Sequence, residues 1–149
     1  MSEKKKFAVV LAGCGVYDGA EIHEAIMTLY AIVLQGATYQ VFAPDIRQHH
    51  VINHITGEEM AESRNVLVES ARLARGKAKP LTDYNPKEFD ALVFPGGFGV
   101  AKNLCTFAFD GANCTVNDQV EKAIKETHRP KKPIGALCIA AVILSKVLG

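Results

Sequence analysis

The sequence predicts an α/β fold, a parallel sheet held between layers of helices. Three observations predict it. Apolar runs of strand length recur four times along the 149 residues, each followed by a helical pattern before the next run begins. The first run, residues 7–12, is continuously apolar rather than alternating, as a strand buried on both faces must be. Two of the runs also end in glycine-rich turns, at Gly13-Cys14-Gly15 and at Gly96-Gly97. A chain of this length makes one domain, residues 1–149, large enough to bury a core without metals or disulfides.

Each element can be justified in order. After the first strand, Asp18 and Glu21 form the pattern of a capping box. The helix they open runs to Gln35, and Gly36 stops it. Its apolar residues surround nearly the whole circumference, so it is expected to be buried on both sides, by the sheet and by a partner subunit. Residues 38–43 form the second strand, stopped by Pro44-Asp45. Residues 46–62 are polar and read as an irregular excursion with a short hairpin around residues 51–55. A helix over 63–75 follows, with Val66, Leu67, Ser70, Ala71 and Ala74 on its inner side. Residues 77–87 are connection, with turn signals at Pro80 and Asn85-Pro86. Residues 89–94 form the third strand, and a short helix begins near Ala101. Asn117 or Asp118 caps the next helix, with Val120, Ala123, Ile124 and Thr127 turned inward. Residues 133–138 form the fourth strand, and a last helix starts at Ile139.

Composition excludes several classes of function. Seventeen Lys and Arg stand against sixteen Asp and Glu, a net charge of +1. That balance makes no electrostatic case for nucleic acid or for an anionic membrane. No apolar run reaches the roughly 18 residues of a membrane span, and no secretory core or Arg-rich leader is legible. The expected location is therefore the cytoplasm. Cys14, Cys105, Cys114 and Cys138 form no C-x-x-C pair, which argues against a zinc ribbon and fits a reducing compartment. His49, His50 and His54 make no metal-ligand spacing and read as surface; no metal is expected. Gly13-x-Gly15 lacks the third glycine of a dinucleotide fingerprint.

The chemistry concentrates at the strand ends. In an open parallel sheet ligands sit beyond the carboxyl ends of the strands, so the turns at Gly13–Gly15, Gly96-Gly97 and Cys138 should converge. Cys138 stands where a strand meets a helix, with Gly135, Ala136 and Ala140 as small neighbours. A nucleophile elbow needs that environment, and the partial positive charge of the following helix favours a thiolate. The competing reading is a small core cysteine. Gly96 and Gly97 can turn backbone amides toward an oxyanion, or simply make a turn. Glu21 and Glu24 are neighbours at the start of the first helix, and either could serve as general acid and base. For Glu21 the competing role is the cap; for Glu24 it is a solvated or interface carboxylate. His23 between them reads as an ordinary helix histidine or a base. Cys14 reads as a loop residue or a resolving thiol.

Longer motifs carry a family resemblance. They are the stretch from Ala12 to Glu24, Phe42–Asp45, His50–His54, Glu62–Arg72, Pro95–Gly99, Ala101–Leu104 and Cys138–Ala140. Together they resemble the glyoxalase ElbB family, also called sigma cross-reacting or amidotransferase-like class 1 proteins, within the ThiJ/PfpI superfamily. The resemblance spans essentially the whole chain. It implies a flavodoxin-like α/β sandwich, a homodimer, and no metal or organic cofactor. It also implies that Cys138 is the elbow cysteine, Glu24 its acidic partner with Glu21 as rival, and Gly96 and Gly97 the glycine pair. Bacterial members are associated with weak glyoxalase activity and isoprenoid synthesis, and eukaryotic members are mitochondrial. A processed eukaryotic member would thus sit in the mitochondrial matrix. Two departures stand out. Ala141 replaces the usual proline after Cys138-Ile139-Ala140, and family members run on beyond Gly149, so the family fold is expected to be C-terminally incomplete here.

The leading expectation is a cofactor-free enzyme that turns a small aldehyde substrate such as glyoxal into a hydroxy acid through Cys138. Amidotransfer is an alternative, but it needs a downstream histidine, and none follows Cys138. A redox-sensing or non-catalytic binding protein is the other alternative.

Overall fold

The computed structural model of the protein describes residues 2–149. Five strands form one parallel sheet: β1 (Lys6–Val10), β2 (Thr38–Ala43), β5 (Ala78–Pro80), β6 (Ala91–Phe94) and β7 (Ile134–Ala136). They run in the order β5-β2-β1-β6-β7. A two-stranded antiparallel hairpin, β3 (Val51–Ile52) with β4 (Glu59–Met60), stands apart from it. The helices are α1 (Ile22–Leu34), α2 (Val66–Leu73), α3 (Phe107–Asp110), α4 (Asp118–His128) and α5 (Ala141–Leu148).

The pleat of β1 divides the core. Val9 and Leu11 face one layer with Ala25, Leu29 and Ile32 of α1 and Val41 of β2. Ala8, Val10 and Ala12 face the other, with Phe42, Leu92, Phe94, Ile124 of α4 and Ile143 of α5. Residues on a strand alternate between faces, so a continuously apolar run serves both layers at once. That is why β1 was legible as a run without alternation. Successive strands build outward from β1 to β2 and β5, and the chain then returns to place β6 on the other side of β1. The crevice between β1 and β6 is the topological switch point.

Several expectations need correction. The first helix is capped by Glu21, whose carboxylate accepts the Glu24 amide at 2.7 Å. Asp18 is instead a buried side chain that accepts the Ile52 amide at 2.8 Å. Both residues fit a cap by sequence; the chain between them is held in a turn by Gly15 N–H to Ala20 O and Gly19 N–H to Gly15 O. Helix α1 does bury the side expected to meet the sheet, through Ala25, Leu29 and Ile32; the side expected to meet a partner subunit lies open in the single chain. Ile22, Ile26, Met27, Tyr30, Val33 and Leu34 remain exposed in the single chain.

The segment read as connection contains β5, a three-residue edge strand of Ala78, Lys79 and Pro80. Its composition hides it, and its edge position explains the proline. The helix expected from Ala101 is a wide π-type turn over Val100–Leu104 followed by the four residues of α3. Helix α2 is shorter than expected, and Asn65 caps it by accepting the Val68 amide. Asn117 caps α4, and all four residues expected inside α4 are buried.

Candidate active site

The turns after β1 and β6 and the elbow after β7 meet at the β1–β6 crevice. The meeting is made by close backbone approach. A Cβ on Gly97, which has φ +107°, would strike the Gly19 carbonyl and the Glu21 amide. Only glycine tolerates both the conformation and the contact. Around it, Glu21 N–H donates to Gly96 O at 2.9 Å, Phe98 N–H to Val16 O at 2.8 Å and Gly99 N–H to Gly19 O at 2.9 Å. The loop after β6 is thereby stitched to the turn that begins α1.

Cys138 is exposed in this cluster. Its φ is +53°, one of only three positive values at non-glycine positions among the described residues. A β-carbon in that region costs about 1–2 kcal/mol, so the surrounding structure holds the thiol in a conformation the residue does not favour. Strand β7 leads in through Leu137 N–H to Phe94 O at 3.0 Å, and Ala140 N–H closes the turn on Leu137 O at 3.0 Å. The sharp strand-to-helix elbow expected from the small neighbours is present.

Gly96 lies between the cysteine and an acid. A Cβ there would stand 2.8 Å from Cys138 Cβ and 2.8 Å from Glu24 Oε2. Glu24 Oε2 is buried and has no hydrogen-bond partner in the protein. A buried carboxylate oxygen left without a donor is costly, and such groups call for an explanation. Glu21 is placed differently. Its carboxylate accepts the Glu24 amide and meets His23 Nδ1 at 2.8 Å, and these two contacts hold its pKa below the ordinary carboxylate value. His23 itself is 91% exposed and turned to Glu21. Of the paired acids, Glu24 is the one brought to Cys138.

Cys14 faces another way. Its half-buried thiol sits in the field of Glu69 and Arg72 of α2, and burial, then Glu69, pushes its pKa up. It forms no disulfide with Cys138. The histidines expected on the surface divide. His49 and His54 are exposed, His54 accepting the Tyr17 amide at 3.2 Å and stacking on the Tyr17 ring, whereas His50 is half-buried with Nε2 unpartnered. Among the described residues, no cluster of His, Cys, Asp and Glu could hold a metal ion.

Two residues, Asn103 and Lys102, and the true role of Asp18 escaped the sequence reading. Asn103 is buried and donates from Nδ2 to the carbonyls of Ala12 and Asp18, both at 3.0 Å, while its Oδ1 accepts the His49 amide at 2.8 Å. It ties the end of β1 to the excursion over residues 46–62. Lys102 donates to Tyr17 O at 2.6 Å, and burial pulls its ammonium below the ordinary lysine range, opposed by Asp18. Asp18 anchors the hairpin. Asn103 and Lys102 stand inside the Ala101–Leu104 motif, which was the available signal.

The profile of the DJ-1/PfpI family matches residues 14–148, from the turn after β1 through the elbow to the end of α5. The chain belongs to the DJ-1/PfpI family. Among its relatives is a human mitochondrial protein named for a glutamine amidotransferase-like class 1 domain, 56% identical over 144 residues, which are 96% of this chain and 54% of that protein. The chain thus spans about half the length of that curated relative. A crystal structure of an isoprenoid biosynthesis protein with an amidotransferase-like domain, from Ehrlichia chaffeensis, superposes with a TM-score of 0.90. It is 41% identical, and the match covers 96% of this chain and 66% of that one. Glyoxalase III of Candida albicans aligns at 13% identity with a TM-score of 0.56, over 94% of this chain and 59% of that one, a likeness of fold alone.

Proposed function

We propose that this family member is a cofactor-free, cysteine-dependent enzyme of the glyoxalase type, in the ElbB branch, acting on small α-oxoaldehydes such as glyoxal. The observation that carries the reading is the unpartnered, buried Glu24 Oε2 across Gly96 from an exposed cysteine held at φ +53°.

The chemistry follows from those positions. The Cys138 thiolate adds to the aldehyde carbon and gives a hemithioacetal. Glu24 removes the proton from that carbon and returns a proton to the neighbouring carbon through an enediol, so the former aldehyde carbon becomes a thioester carbonyl. Water then cleaves the thioester, releasing the hydroxy acid and the thiolate. No electrons leave the substrate, because one carbon is oxidised as its neighbour is reduced. The amides of Gly96 and Gly97 receive the oxyanion. Neither donates among the loop bonds that engage Phe98 and Gly99. To them we add the Ile139 amide, since the residue after a nucleophile at such an elbow supplies a donor.

The names of the human and Ehrlichia relatives suggest amidotransfer as a second reading. That chemistry activates its nucleophile with an imidazole. Here the titratable group on the flank of Cys138 is a carboxylate, which favours the first reading. A redox-sensing role rests on the same exposed thiol, and would be marked by sulfinate formation at low peroxide. The human relative's name supports a mitochondrial location, and the bare outer face of α1 supports a homodimer. Glyoxal turnover by Cys138→Ser tests the enzyme reading. Loss of activity is expected; a serine variant as active as the parent would end it.

A further inference from the structure

We propose that the cleft beside Cys138 selects substrates carrying an anionic group, a carboxylate or a phosphate, and that Lys102 is the residue that selects them. The proposal rests on the reading of Cys138 as the group that attacks a carbonyl.

A cleft of about 500 Å³ opens next to the elbow. Ile139, which follows Cys138, forms one wall, and Phe98, which follows Gly97, forms another. Tyr17 and Lys102 contribute the only polar side chains to its lining. The Lys102 ammonium is fixed there by its 2.6 Å bond to Tyr17 O, with the Phe98 ring centroid 5.7 Å away. Among the described residues no carboxylate comes within 4.0 Å of it, although eight other pairs meet that limit. Asp18 is the acid whose field reaches it, but that carboxylate is engaged by the Ile52 amide and lies 3.9 Å from His54.

An ammonium carries three donors, and one is used. No other protein acceptor is bonded to it among the described residues, and the cleft it lines is otherwise largely apolar. A half-buried charge without a counter-ion is costly, and a ligand that supplies the counter-ion removes that cost. Glyoxal cannot do so. A short oxo acid or a phosphorylated aldehyde can, with its carbonyl at Cys138 and its anion at Lys102. The π-type turn over Val100–Leu104 that carries Lys102 is an irregularity of the kind found at functional sites.

Alkylation of Cys138 tests this without relying on turnover. The sulfur forms a bond to the reagent's carbon and iodide leaves, so iodoacetate and iodoacetamide differ only in the anion. Their rate ratio at Cys138, referred to a small free thiol, should favour iodoacetate by about tenfold, the scale of one charge-assisted hydrogen bond. Lys102→Met should abolish the preference and Lys102→Arg should keep it. A folded Lys102→Met protein with the parent's ratio overturns the proposal. If that variant does not fold, competition in the parent decides. Succinic semialdehyde and glyceraldehyde 3-phosphate should protect Cys138 from iodoacetamide at lower concentration than butanal, and their order separates carboxylate from phosphate. Equal protection by all three overturns the proposal. Glyoxal turnover measured alongside separates the two readings: no turnover with the iodoacetate preference intact removes the glyoxalase reading and leaves the anion site.

Discussion

The two ends of the parallel sheet are built on opposite terms. At the amino end, polar groups are matched. Asp90 accepts the Lys6 amide at 2.8 Å and the Lys5 ammonium at 3.3 Å. Lys132 donates to the carbonyls of Pro86 and Phe89 at 2.6 and 2.7 Å. At the carboxyl end, Glu24 Oε2, Gln48 Oε1 and His50 Nε2 are buried without partners in the protein. The difference teaches where this fold can do chemistry. Groups already engaged within the protein have little left to offer a ligand. Groups held unengaged by their neighbours are available to one, at a cost in stability that the rest of the fold supports.

That contrast can be broken most severely at Gly97. Gly97→Ala puts a Cβ into the Gly19 carbonyl and the Glu21 amide at a backbone conformation alanine avoids. A loss of about 3–5 kcal/mol, or failure to fold, is expected in urea denaturation. A loss under about 1 kcal/mol would mean the turn relaxes freely and the crevice is not rigid.

The two glutamates sharpen the contrast next. Glu24→Gln should lower glyoxal turnover by about 100-fold or more, with Cys138 still open to alkylation. Glu21→Gln should cost stability, about 1 kcal/mol as for other caps, and leave turnover within a few-fold. Its pH signature has a definite sign. Contacts with the Glu24 amide, then His23, depress the Glu21 pKa. The stability it contributes is therefore complete above the ordinary carboxylate value of 4.5 and lost as pH falls through the lower folded value. Thermal melts of Glu21→Gln should lack that acid loss. Equal effects of both substitutions on turnover would dissolve the distinction.

The smallest effect belongs to the matched end. The Lys6 amide is the main cause that holds the Asp90 pKa below its ordinary value, with Lys5 adding to it. Asp90→Asn should lower stability slightly near neutral pH, with the difference from the parent vanishing as pH falls below the ordinary aspartate range, and should leave turnover and Cys138 alkylation unchanged. A changed alkylation rate would show that the two ends are coupled through β6.

Much of the fold was legible because burial on both faces writes itself as apolar runs, as in β1. Strand β5 was not, because Ala78-Lys79-Pro80 lies at an edge and carries no such run. The elbow at Cys138 was legible from its place between a strand and a helix among small residues, although the close approach itself is made by Gly96, where a Cβ would stand 2.8 Å from Cys138 Cβ. The cap of α1 was not. Asp18 and Glu21 both satisfy the local pattern, and the bonds from Asp18 to Ile52 and from Glu21 to the Glu24 amide decide between them. His50 read as surface because its burial comes from residues distant in sequence. Lys102 and Asn103 act through partners at Tyr17, Ala12 and Asp18, roughly 85 to 91 positions away.

The sequence by itself determined that the strands leading to Gly13–Gly15, Gly96-Gly97 and Cys138 stop there, and hence which turns had to meet at the switch point. Strand length and direction are local consequences of apolar runs and the turns that stop them. Only the tertiary structure decided which acid lies across Gly96 from Cys138 and which cation lines the cleft. A side chain's direction on a helix follows from how the helix is set against its neighbours, here by Gly97 seated on residues 19–21. Local periodicity carries no record of that seating.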